Sequence, residues 1–193
     1  MSITWGAVCR AKQGQSISGD VYVVQEYAEG QALISIIDGL GGGTEAEHAA
    51  RLAAQLLEQY PDLPLQELIR RSHTALHSTR GAVIGLLRLE QASSQATYVG
   101  IGNIGVQVYS RQPIKPISKN GILGFRMPSL LELRYVYDPG DIFVLYSDGV
   151  SSSFAQDNKI DIKQSPQHMA EQILATYGKH TDDATVVAVK TVA

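Results

Sequence analysis

Four short motifs in this chain place carboxylates beside small residues: Ser18-Gly19-Asp20, Asp38-Gly39-Leu40-Gly41-Gly42-Gly43, Ser147-Asp148-Gly149 and Thr181-Asp182-Asp183-Ala184-Thr185. Asp and Gly are turn residues, so each motif taken alone reads as a tight turn. Together they could do chemistry. If Asp20, Asp38, Asp148 and Asp182 converge, two carboxylates ~4 Å apart repel by about 4 kcal/mol at an effective dielectric near 20. Without a counter-ion some of them would have to protonate. Two divalent cations balance four carboxylates. The donors are all oxygens, which suits Mg²⁺ or Mn²⁺ better than Zn²⁺. Gly39 has no Cβ, so its backbone can approach an ion and its carbonyl can ligate. Two such ions ~3.5–4 Å apart make a hydroxide at neutral pH and clamp a phosphoryl group for in-line attack. Phosphate-monoester hydrolysis is among the slowest uncatalysed reactions, so it needs a site of this strength.

Positioning these aspartates falls to strands. Nine segments rich in Val, Ile or Tyr are bounded by Gly, Asp, Pro or Ser: Ile3–Cys9, Val21–Tyr27, Ala32–Ile37, Ala82–Leu89, Ala96–Ile101, Gly105–Ser110, Leu133–Tyr137, Ile142–Ser147 and Ala184–Lys190. Every acidic motif adjoins one of them. Three stretches predict helices. Thr44-Glu45-Ala46-Glu47 fits a capping box with Thr44 as N-cap, followed by an apolar stripe from Ala46 to Leu57. A second helix begins at Pro64. A third starts with Ser165-Pro166 and stops at Gly178. Two helices follow the third strand, then come five strands in a row, a helix and a last strand. That order departs from βαβ alternation and predicts an α+β fold. Nine strands exceed one ordinary sheet of ~5–6, which favours two packed sheets with helices outside.

In sequence order, Gly19-Asp20, Asp38-Gly39-Leu40-Gly41, Gly100-Ile101-Gly102-Asn103, Gly121-Ile122-Leu123-Gly124, Gly140-Asp141 leading to Ser147-Asp148-Gly149, and Asp182-Asp183-Ala184-Thr185 resemble the motifs of the metal-dependent PPM protein serine/threonine phosphatases. The likeness is greatest to their bacterial SpoIIE-like branch and covers nearly the whole chain. It implies one domain over residues 1–193, a four-layer α/β/β/α sandwich of two antiparallel sheets flanked by helices. It also implies two Mn²⁺ or Mg²⁺ ions and a water activated between them. By the same resemblance Asp38 bridges both ions, Gly39 offers its carbonyl, Asp148 and Asp182 hold one ion, and Asp20 binds or orients water at the other. Asp183, where larger members carry Asn, takes a supporting role. Similarity to the branch's stand-alone stressosome members implies phosphorylated STAS-domain scaffold proteins as partners. Two departures follow. The phosphate-binding Arg of larger members has no counterpart in Gly14-Gln15-Ser16-Ile17-Ser18, and their His after the bridging Asp-Gly is Leu40 here.

Composition excludes other classes. Sixteen basic against nineteen acidic residues, for a net charge of −3, offer no global handle for nucleic acid. The single cysteine, Cys9, excludes an internal disulfide and fits a reducing cytosol. No apolar run approaches the ~18–20 residues of a membrane span, and no export signal opens the chain; a cytoplasmic protein is expected. Gly100 to Gly105 satisfies G-x-G-x-x-G, but Val106-Gln107-Val108-Tyr109 alternates like a strand where a helix should follow, so a hairpin or bend is expected. His73 and His77 have zinc-binding spacing but lack the Glu that follows the first His in a zinc-protease helix, and read as solvated or partly packed. His48 and His180 flank the acidic loops as proton-donor candidates. Arg111 to Arg134 carries five bases against one acid and reads either as a docking surface for an acidic phosphoprotein or as a solvated connection. A phosphatase is the first reading. A catalytically weak interaction module on the same fold is the second, and an α/β nucleotide-binding protein, lacking a P-loop Lys, is a distant third.

Overall fold

The strand Gln31–Gly39 (β3) carries apolar side chains on both faces, because it lies inside two layers at once. Leu33 and Ile37 point into one core, while Ala32, Ile34 and Ile36 point into another; all are fully buried. Each such side chain contributes roughly 1.5–3 kcal/mol on burial. The computed structural model describes residues 3–157 and 159–192.

The other strands are β1 (Ile3–Arg10), β2 (Asp20–Ala28), β4 (Ala82–Glu90), β5 (Gln95–Ile101), β6 (Gly105–Tyr109), β7 (Glu132–Val136), β8 (Ile142–Tyr146) and β9 (Ala184–Thr191). They form a five-stranded sheet in the order β2-β3-β4-β5-β7 and a four-stranded sheet in the order β1-β9-β8-β6, with antiparallel pairing throughout. The helices α1 (Thr44–Gln59) and α2 (Leu65–Ala75) cover the outer face of the larger sheet, and α3 (Pro166–Tyr177) covers the smaller one. The layers are therefore α/β/β/α, the architecture expected from the sequence. The core that Ala32, Ile34 and Ile36 enter lies between the sheets and includes Tyr98, Phe143, Leu145, Val187 and Val189.

Two local expectations need correction. Thr44 is the first helical residue of α1, not its cap: Gly43 occupies the cap position with φ +71°, and no side chain bonds the helix start. Glu47 turns outward to Arg51, one helical turn on, at 2.7 Å. The Gly100–Gly105 segment is the bend of the expected pair, with no hairpin: β5 and β6 belong to different sheets, and Gly102 turns the corner at φ +95°. The cap of α3 is as expected, with Ser165 Oγ accepting from His168 N and Pro166 in the first turn.

Candidate active site

All four acidic motifs reach the same end of the sandwich, because β2 begins where β3 ends and β9 begins where β8 ends. Asp20 and Asp38 are direct cross-strand partners, and Asp38 has Val83 of β4 on its other side. Gly39 N donates to the Gly19 carbonyl at 3.1 Å, closing the β2–β3 end. Gly39 has to be glycine, since a Cβ there would collide with the Ala46 carbonyl of α1. Gly41 and Gly43 pass through φ +101° and +71°, which a side chain would strain. The short glycine loop thereby carries the chain from β3 directly into α1.

Asp38, Asp148 and Asp182 line one cavity of about 190 Å³, with Leu40, Gly41, Val83 and Asn103 completing its wall. Asp148 Oδ2 accepts a 2.7 Å hydrogen bond from Asn103 Nδ2, and Lys179 Nζ donates to the Asp148 carbonyl at 2.7 Å. Asp20 stands behind the wall. It is buried, and its Oδ2 accepts from Ser147 Oγ at 2.7 Å; Ser147 Oγ in turn accepts from Thr185 N at 3.0 Å. Asp183 is a tie: its carboxylate accepts from Lys12 N and Gly19 N, both at 2.8 Å, and holds the segment before β2 against the start of β9. Gly39 is not among the residues that line the cavity.

Burial, together with the charges of Asp20, Asp148, Asp182 and Asp183, pushes the Asp38 carboxyl up to about 8. Asp20 rises to about 6, mainly through burial, although the hydrogen bond from Ser147 resists the rise. Asp148 is raised by burial and by Asp182, against the pull of Lys179 and Asn103. Such a cluster is starved of positive charge. Among the described residues no three carboxylate, imidazole or thiol groups close on a common point as a ready-made cage. Unneutralised carboxylates repel one another, and Mg²⁺ keeps several of its own waters, so a pair of hydrated ions fits this spread of hard oxygen donors.

The fold has known counterparts. Residues 28–192 match the family model described as Stage II sporulation protein E (SpoIIE). The chain belongs to the SpoIIE family. Phosphoserine phosphatase RsbX of Bacillus subtilis (strain 168) is 25% identical over 181 residues, spanning 91% of this chain and 88% of that protein. A structure from work on the bacterial stressosome, described there as a modular system adapted to control secondary messenger signalling, superposes with a TM-score of 0.89 and 28% identity. It covers 98% of this chain and all of that one. A crystal structure of RsbX in complex with magnesium superposes at 0.87 with 22% identity, covering 98% and 96% of the two chains.

For a SpoIIE-family chain the two departures noted in the sequence take on definite form. Leu40 lines the cavity, and no histidine does. His48 and His180 are exposed. His73 accepts from Gly124 N through Nδ1 and stacks edge-on with His77, which lies beyond the end of α2; the pair is structural. Two bases do border the glycine loop. The Lys12 ammonium rests on Gly42, and Arg80 Nη1 lies 2.7 Å from where a Cβ on Gly41 would be, while Arg80 Nε bonds Glu45. Neither was legible as a site residue, because Lys12 lies eight residues before Asp20 and Arg80 follows α2. Asn103 and Ser147, the partners of Asp148 and Asp20, stand in the Gly100–Asn103 and Ser147–Gly149 motifs but carry no local signal of that pairing.

Proposed function

We propose that this chain, as one domain over residues 1–193, is a Mg²⁺- or Mn²⁺-dependent phosphatase acting on phosphoserine or phosphothreonine in a protein partner. The observation that carries the reading is the cavity walled by Asp38, Asp148 and Asp182, in which the Asp38 carboxyl is pushed up to about 8. Asp38 would hold both ions, with Asp148 and Asp182 as further ligands to one, and Gly39 through its carbonyl and Asp20 through a water would serve the other. Gly39 and Asp20 stand off the cavity wall, so they act after a small adjustment or through water. Bound there, a pair of divalent ions would supply an activated water and neutralise the phosphoryl oxygens.

The chain's own residues do the rest. Asn103 fixes the Asp148 carboxylate, and Ser147 fixes Asp20. Leu40 and Val83 make the cavity wall apolar beside the acids, which strengthens the electrostatics within it. Lys12 and Arg80 draw the phosphate dianion toward the glycine loop. With no imidazole on the wall, the leaving serine takes its proton from solvent. Phosphorylated STAS-domain stressosome proteins are the proposed substrates and the cytoplasm the proposed site of action; no described helix is long and apolar enough to cross a membrane.

The test is release of phosphate from a phosphoserine protein with Mn²⁺ or with EDTA. Metal-dependent release, abolished in Asp38→Ala, is expected. The lack of a preformed cage favours one second reading, an interaction module with a weakened site. Metal-insensitive partner binding without turnover would establish that reading instead.

A further inference from the structure

The acidic cavity, at about 190 Å³, accommodates a phosphoryl group, yet a much larger groove of about 780 Å³ opens beside it and shares three of its wall residues: Leu40, Val83 and Asn103. That volume falls within the range of sites that bury a ligand. The opposite wall comes from residues 120–129, part of the connection between β6 and β7.

This wall is fixed in place. Leu123 is fully buried and exchanges both backbone hydrogen bonds with Ala82, at 2.9 and 3.2 Å. Lys119 N donates to the Gly100 carbonyl, and the Lys119 carbonyl accepts from Gly102 N, at 2.9 and 2.8 Å. Between and beyond these pins the wall presents Ile122, Phe125, Arg126 and Met127 to the groove. Phe125 is 68% exposed. A large aromatic left mostly exposed on a pinned segment beside a reaction cavity costs hydration. Arg126 is the sole charged residue lining the groove and forms no ion pair among the described residues.

We propose that this groove seats the polypeptide that flanks the phosphoserine of the substrate, with apolar side chains against Phe125 and Met127 and a carboxylate on Arg126. The inference rests on the phosphatase reading and specifies its substrate. A phosphoserine in the cavity is attached to a chain that must leave it, and the groove adjoins the cavity along Leu40 and Val83. An extended peptide advances ~3.3 Å per residue, so side chains two to four positions from the phosphoserine fall along such a groove. Buried aromatics and arginines carry most of the affinity at interfaces of this kind.

The experiment uses the full chain with Mn²⁺ and three probes: a synthetic phosphoserine peptide flanked by Leu and Asp, the same peptide with Gly and Lys flanks, and para-nitrophenyl phosphate. Phe125→Ala and Arg126→Ala remove exposed side chains, so neither threatens folding. Each is expected to lower kcat/KM on the Leu/Asp peptide about tenfold through KM, leaving para-nitrophenyl phosphate unchanged and abolishing the preference over the Gly/Lys peptide. Equal losses on peptide and aryl phosphate, or no loss on either, would overturn the proposal. Binding of the fluorescently labelled Leu/Asp phosphopeptide in EDTA separates this inference from the catalytic one. Weakened binding in Phe125→Ala upholds the groove even if no variant or wild type turns over, and unchanged binding refutes it.

Discussion

Replacing Asp38 by Asn should make the metal-free protein more stable and inactive at once. In the folded chain the Asp38 carboxyl titrates near 8, against an ordinary 3.8, chiefly because it is buried and then because four other carboxylates surround it. A carboxyl raised on folding binds its proton more tightly in the native state than in the unfolded one. Its contribution is therefore fully present below about pH 4 and is lost progressively as pH rises through about 8. At 1.36 kcal/mol per unit the whole rise corresponds to ~6 kcal/mol. Water at the cavity mouth screens part of the charge, so a gain of about 2–4 kcal/mol is expected for Asp38→Asn at pH 8. For a chain of this length that is roughly 5–15 °C in Tm. Thermal unfolding in EDTA, followed by circular dichroism from pH 4 to pH 8, reads it directly. The variant and wild-type curves should meet near pH 4 and separate steadily above it. Mn²⁺ at pH 8 should raise the wild-type Tm and leave the variant nearly unmoved. A wild-type Tm that is flat between pH 5 and 8 in EDTA, or a variant no more stable at pH 8, would refute the electrostatic reading of the site.

Ser147→Ala removes the hydroxyl that donates to Asp20 and accepts from Thr185 N, leaving two buried groups unpaired. A loss of about 2–3 kcal/mol in urea unfolding is expected. Lys12→Ala and Arg80→Ala should each weaken inhibition by inorganic phosphate about three- to tenfold without changing the Mn²⁺ concentration needed for half-maximal activity. A shift in metal requirement would place these bases with the ions instead. Asn103→Ala frees the Asp148 carboxylate. It should raise the Mn²⁺ requirement about tenfold, as loss of an outer partner to a ligand does, and an unchanged requirement would show that Asp148 is oriented without it.

The nine strands and three α-helices among the described residues were legible because each is a run of β-branched or periodic apolar residues with turn chemistry at its ends. Ser165-Pro166 before α3 is the clearest case. The start of α1 misled for a physical reason. Thr44 and Glu47 have the right spacing for a capping box, but the positive φ of Gly43 delivers the chain into the helix without one, and Arg51 is then free to take Glu47. The aspartates were legible as a set because four strand ends carry them in a motif order that can be compared. Their unequal placement was not. Asp20 faces Ser147 instead of the cavity because of a hydroxyl 127 residues away, and nothing local to Gly19-Asp20 encodes that.

The stretch between β6 and β7 shows where reading by periodicity ends. Its order comes from isolated backbone pairs to Ala82, Gly100 and Gly102. Such bonds use main-chain atoms and leave no repeat in the side chains. Five bases against one acid left a cationic docking face and a solvated connection equally open. In the folded chain Arg134 is taken by Glu132, and Arg111 belongs to the opposite end of β6, where Tyr109 and Asp141 lie. Only Arg126 among the five lines the groove beside the acidic cavity, next to Phe125, Met127 and Ile122. A surface of that make-up gains more from burying apolar side chains than from long-range attraction. The affinity lost in Phe125→Ala should accordingly be nearly the same at 0.1 M and 1 M salt, although the Debye length shrinks from ~10 Å to ~3 Å, whereas the loss in Arg126→Ala should fade as salt rises.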